Sequence, residues 1–113
     1  MTDCLFCKII NKEIPSEFVY EDEQVVVIND INPQAPIHQL VIPKKHIASI
    51  NDCNVEDTFL LGHMIQTAKN QAKKLGIGEP GYRLIFNCNN DGGQEVYHIH
   101  LHLLGGHKLG TLG

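Results

Sequence analysis

The chain has 113 residues, 42% of them hydrophobic, with a net charge of −4 and a pI near 5.9. This length fits one compact domain, read here as residues 1–113. The acidic balance excludes the basic footprint of a nucleic-acid binder, and no apolar run approaches the length of a membrane span. The N-terminus shows no basic stretch followed by an apolar core, so a cytoplasmic location is expected, where Cys4, Cys7, Cys53 and Cys88 are thiols or metal ligands rather than disulfides.

In chain order, Thr2 or Asp3 is placed to cap a short helix through about Asn11, with Leu5, Phe6, Ile9 and Ile10 as its apolar side. Phe18–Glu21 and Gln24–Asn29 read as a hairpin around Asp22-Glu23. Asn32–Pro36 is a loop, and His38–Ile42 is a strand stopped by Pro43. Asn54–Leu75 is the long helix, with Leu60, Leu61, Met64, Ile65, Ala68, Ala72 and Leu75 at helical spacing and Gly76 as its stop. Tyr82–Cys88 is a strand, Asn89–Gly93 a tight polar loop, and His98–Leu104 the last strand. The fold class predicted is α+β: about five strands, mainly antiparallel, with the long helix across one face and one short helix.

The last strand carries the chemistry. Alternation sends Ile99, Leu101 and Leu103 to one face and His98, His100 and His102 to the other, with neighbouring Cβ atoms on a face about 7 Å apart. Three imidazoles on one face point to metal or to phosphorus chemistry. Neutral imidazoles bind zinc, yet three in a row on one strand converge poorly on a single ion. A neutral imidazole is also a nucleophile near neutral pH, and its protonated form is an acid and a phosphate clamp. The loop Asp91-Gly92-Gly93-Gln94-Glu95-Val96 leads into the histidines; it is a turn first, but its glycines let backbone N–H groups approach phosphate, and Gln94 is a donor.

Gly93-Gln94-x-Val96-x-His98-x-His100-x-His102 resembles the histidine triad (HIT) superfamily. Gly105-Gly106, Asp30-Ile31-x-Pro33-Gln34-Ala35-Pro36-x-His38, Val41–Lys44 and Lys8-Ile9-Ile10-x-x-Glu13-Ile14-Pro15 are similar to its purine nucleoside phosphoramidase (Hint) branch. The resemblance implies a HIT-like fold and a homodimer whose sheet runs across both subunits. It implies hydrolysis of purine nucleoside 5′-phosphoramidates to the monophosphate and an amine, with no cofactor required for catalysis. It makes His100 the nucleophile, sets His102 on the α-phosphate, and gives His38 and His98 orienting roles. Asp30 would hold the ribose, Ile28 and Ile31 would line the base pocket, and Asn87, Gly93, Gln94 and Val96 would contact phosphate or position the loop.

Glu95 departs from a serine common in that branch; it stands near the leaving group and is expected to donate its proton or to repel acidic leaving groups. By residue type alone, Asp30 is an ordinary loop acid, Asn87 a turn former and His38 a structural histidine. Cys4-x-x-Cys7 alone is ambiguous between metal, redox and accident. Some bacterial HIT proteins that share this pair bind zinc, which implies Cys4, Cys7, His46 and His98 as a structural zinc set. Three other classes compete with the phosphoramidase: a dinucleoside polyphosphate hydrolase, a non-catalytic nucleotide-binding regulator and a zinc-binding structural protein.

Overall fold

The run Val25-Val26-Val27-Ile28 is buried at every position, which a strand allows only when both faces of its sheet are covered. The computed structural model, which describes residues 3–113, shows how this happens. The elements are α1 (Leu5–Ile10), β1 (Tyr20–Glu21), β2 (Val25–Asn29), β3 (Ile37–Pro43), α2 (Thr58–Lys74), β4 (Tyr82–Ile85) and β5 (Leu101–Gly105). The strands form one five-stranded sheet in the order β1-β2-β3-β5-β4, and every pairing is antiparallel.

Register decides which residues share a face. Val25, Val27, Val41 and Leu101 pack with Leu60, Met64 and Ala68 of α2. Val26, Ile28, Leu40 and Ile42 pack on the opposite face with Phe6 and Ile9 of α1. Phe6 and Ile9 are each worth about 2 kcal/mol in burial. Leu40 pairs with His102, so His102 emerges on the α1 side, as does His38 two residues before Leu40.

α2 ends as the sequence predicts. Gly76 has φ of +76°, the Gly76 N–H donates to the Lys73 carbonyl and the Ile77 N–H to the Ala72 carbonyl, a Schellman closure. Its start differs: a 3₁₀ turn at Val55–Asp57 precedes the helix, and the Asp57 carboxylate accepts the Asn54 N–H at 2.8 Å and pairs with Lys45 at 2.6 Å. Its buried side also differs. Ile65 and Leu75 are exposed, whereas Thr67 and Gln71 are buried. Gln71 donates to Gln39, which donates to Asn29, so a polar chain fills what periodicity reserves for apolar residues.

Four further expectations are corrected. β1 is confined to Tyr20–Glu21 and β4 stops at Ile85 rather than Cys88. β5 begins at Leu101, so His98 and His100 precede the strand and the three imidazoles do not form a row on it. The cap of α1 is Cys4, whose Sγ accepts the Cys7 N–H at 3.3 Å; Thr2, the other expected cap, lies outside the described residues. Among the described residues no helix is long and apolar enough to cross a membrane.

Candidate active site

Between α1 and the sheet lies a cleft of about 340 Å³, at the small end of ligand pockets. Leu5, Phe6 and Ile9 of α1 and Ile28 and Leu40 of the sheet form its apolar wall, with Ile31 on its exposed rim. Asp30, Glu95, Val96, His100 and His102 supply its other lining. The sequence places Asp30, Ile28, Ile31, Glu95, Val96, His100 and His102 at this site. It gives no hint of Phe6 or Ile9, because an apolar stripe on a short helix reads equally as core.

The hydrogen bonds fix which ring nitrogen of each histidine carries its proton in the neutral form. The His38 Nδ1 accepts the Gln34 backbone N–H at 3.1 Å, so Nε2 bears the hydrogen. That Nε2–H donates to His102 Nδ1 at 2.9 Å, which leaves the His102 hydrogen on Nε2 as a free donor. His100 is the reverse: its Nδ1 lies 2.8 Å from the His98 carbonyl and must donate to it, so Nε2 holds a bare lone pair. The site therefore presents one nucleophilic nitrogen beside one N–H donor, with the two rings 4.9 Å apart.

Burial keeps these rings neutral. It lowers the His38 pKa against the pull of Asp30, whose carboxylate stands 3.5 Å away. Burial lowers that of His100 as well, against the opposing bond to the His98 carbonyl. Burial, followed by the neighbouring His100 and His38 rings, pushes His102 down to about 4. Asp30 also accepts the Asn32 N–H at 2.8 Å, an Asx turn that fixes the carboxylate at the cleft.

The loop before the histidines is braced from within. Asn87 Nδ2 donates to the Gly92 carbonyl at 2.7 Å. The Gln94 amide donates to the carbonyls of Ala48 and Val96 and accepts the Asn89 N–H. The N–H groups of Gly93 and Gln94 go to Asn90 and Asn89. Of the two roles expected for Asn87, Gly93 and Gln94, these contacts serve the positioning of the loop, and Glu95 and Val96 are what it contributes to the cleft lining. Of the two loop glycines, Gly92 is the one that packing requires, because a Cβ there would collide with the Cys88 carbonyl oxygen.

His98 leaves the cleft. Its fully buried ring donates from Nε2 to the Pro43 carbonyl at 2.7 Å, so its Nδ1 lone pair faces Cys4, Cys7 and His46. That nitrogen is 3.3 Å from Cys4 Sγ, 3.6 Å from Cys7 Sγ and 3.1 Å from His46 Nδ1, while Cys7 Sγ is 3.4 Å from His46 Nδ1. Tetrahedral zinc spaces N and S ligands about 3.3–3.8 Å apart, so the donor set fits that ion in type and spacing. Without a cation, burial and then the Cys4 thiol push the Cys7 pKa up, which a bound cation would reverse. Asp30, His38 and His102 also approach one another closely. They fit a metal poorly, because the Gln34 N–H holds His38 in the tautomer whose Nε2 carries hydrogen.

The sequence profile described as "Scavenger mRNA decapping enzyme C-term binding" matches residues 3–111. A purine nucleoside phosphoramidase of Escherichia coli (strain K12) is 53% identical over 110 residues, covering 97% of this chain and 92% of that protein. A HIT family hydrolase from Legionella pneumophila Philadelphia 1 superposes with a TM-score of 0.92 at 57% identity, covering 94% of this chain and 95% of that one. A histidine triad protein from Clostridium difficile gives a TM-score of 0.95 at 47% identity, covering 100% of this chain and 98% of that one. With His100 and His102 lining one cleft, His38 bonded to His102, and a fold shared along nearly its whole length, the chain belongs to the histidine triad family of nucleotide hydrolases.

Proposed function

We propose that this protein hydrolyses purine nucleoside 5′-phosphoramidates to the nucleoside monophosphate and an amine, with His100 as nucleophile. The observation that carries the reading is the bond from His100 Nδ1 to the His98 carbonyl, which turns a bare Nε2 toward the cleft. Nε2 attacks the α-phosphorus as the P–N bond breaks, and the amine departs with a proton from the Glu95 carboxyl. The charge gained by the His100 ring is stabilised by the His98 carbonyl on Nδ1–H. Water then attacks phosphorus and gives a proton to the Glu95 carboxylate, the N–P bond to His100 breaks, and the monophosphate leaves.

His102 Nε2–H donates to a non-bridging phosphate oxygen, and His38 holds it in that tautomer. The base enters the apolar slot of Phe6, Ile9, Ile28 and Ile31, and Asp30 takes the ribose hydroxyls. Glu95, exposed in the cleft wall, supplies the carboxyl nearest the departing amine. The phosphoramidase activity named for the E. coli relative supports this substrate class. We assign Cys4, Cys7, His46 and His98 to zinc, which with four protein ligands supplies a structural cross-link and no open coordination position.

A homodimer is part of the same reading. β4 is an edge strand, and Val55 and Phe59 are each 90% exposed, apolar surface that a second copy would cover. Light scattering giving twice the chain mass supports the dimer, and a single chain mass contradicts it. The function is tested by following AMP release from adenosine 5′-phosphoramidate. Turnover by the wild type, abolished in His100→Ala, is expected; AMP binding without turnover would instead mark a nucleotide-binding regulator.

A further inference from the structure

The thiol–imidazole cluster and the nucleotide cleft share two structural parts. The first is α1. Cys4 and Cys7 belong to the cluster, while Leu5, Phe6 and Ile9, on the same six-residue helix and its start, line the cleft. A helix this short does not persist by itself in water. Its buried residues are Phe6 and Ile9, and its N-terminal cap is the Sγ of Cys4, a cluster atom. The Phe6 ring stands edge-on to both His98, at 5.9 Å between centroids, and His100, at 4.9 Å. The second part is His98, whose ring joins the cluster while its backbone carbonyl receives the His100 Nδ1–H.

We propose that metal occupancy of the Cys4–Cys7–His46–His98 cluster controls the nucleotide cleft, with α1 as the coupling element and Phe6 as the positioning residue for His100. Closing the cluster on a zinc-class cation fixes α1, and with it the apolar wall that meets the base. It also fixes His98, and so the carbonyl that sets the His100 tautomer. Opening it frees the wall and loosens the nucleophile. Because coupling between two binding sites is reciprocal, nucleotide binding must tighten metal binding by the same factor. The catalytic half of this inference rests on His100 as the nucleophile, whereas the binding half does not.

The test compares zinc-loaded protein with protein stripped by a chelator. AMP affinity is measured by calorimetry on both, and zinc affinity by competition with a chromophoric chelator, with and without saturating AMP. The expected result is AMP binding at least about fivefold weaker without zinc, and zinc binding tightened by the same factor when AMP is present. Amide exchange over residues 5–10 should quicken about tenfold on stripping while α2 keeps its protection. AMP affinities within twofold of each other, or zinc affinity indifferent to AMP, overturn the coupling.

Should stripping unfold the whole chain, two variants read the same coupling in zinc-loaded protein. Phe6→Ala, with zinc content unchanged, should lower kcat about tenfold and shift the His100 ring-proton resonances, and Phe6→Leu should restore most of the rate. Phe6→Ala with kcat within twofold of wild type and unshifted His100 resonances removes the positioning role. Reciprocal zinc–AMP linkage in a protein without phosphoramidate turnover would overturn the proposed function and leave the coupling standing; turnover without linkage would do the reverse.

Discussion

Two imidazole clusters lie side by side in this molecule, and they put the same ring to opposite uses. In the cleft, His100 shows a lone pair and His102 an N–H, which the proposed function uses to attack and to donate. In the cluster with Cys4 and Cys7, His98 turns its lone pair inward beside His46 and two thiols, a set suited to a cation. What separates the roles is the partner on the other ring nitrogen. A carbonyl on Nδ1 leaves Nε2 bare in His100, a carbonyl on Nε2 leaves Nδ1 bare in His98, and a donated N–H reverses the logic in His38 and His102. Three of the four histidines are sorted by backbone groups of Gln34, Pro43 and His98, and the fourth, His102, by the ring of His38.

The comparison breaks most sharply at His100. His100→Ala should lower phosphoramidate turnover by at least about 10⁴-fold while AMP still binds, read from single-turnover kinetics and calorimetry. Removing the donor is milder: His102→Ala should cost about 10²–10³-fold in kcat, as for one transition-state hydrogen bond. Glu95→Gln should lower the rate by about 10²-fold for poorly leaving alkylamines and leave activated leaving groups unaffected, if Glu95 handles the amine proton. A uniform effect across a leaving-group series would remove it from that role.

On the cluster side, Cys4→Ser with Cys7→Ser should abolish zinc binding and lower Tm by at least about 5 °C, read by metal analysis and calorimetry, with turnover reduced rather than lost. Acid provides the gentlest test. Burial lowers the pKa of His38 and takes that of His102 to about 4, so the acid limb of kcat/KM should fall below the ordinary imidazole value of about 6.5. The same groups make acid destabilising. Above about pH 6.5 they are neutral in both states; between there and about 4 the unfolded chain takes up protons that folded His102 refuses, so stability falls with pH. A pH–rate profile with its acid limb at 6.5 or above contradicts the buried, neutral arrangement.

Much of this was legible in the sequence. The alternation over Leu101–Leu104, the C-terminal stop at Gly76 and the antiparallel α+β class follow from period and turn chemistry, and the structure carries them. The division of labour among the histidines does not follow. Strand period puts His98, His100 and His102 on one face, but before Leu101 the chain is held by other partners. The Ile99 N–H goes to the Ile47 carbonyl and the His98 ring to Pro43, and these long-range bonds override local alternation. The short helix is legible as an element, but its role in the cleft is not, for a related reason: Phe6 and Ile9 are an apolar stripe by sequence, and only the packing of α1 against β2 and β3 makes them a cleft wall. Gln71 and Thr67 show the converse, since polar residues are buried where a partner waits.

The central claim is that the His98 carbonyl on one side, and the Gln34 N–H acting through His38 on the other, fix opposite tautomers in His100 and His102. Nitrogen-15 NMR of the imidazole rings in zinc-loaded protein at neutral pH tests it directly. The account predicts a protonated Nδ1 and bare Nε2 for His100, with a bare Nδ1 and protonated Nε2 for His102. A His100 ring carrying its hydrogen on Nε2 would leave no nucleophile facing the cleft and would contradict the account.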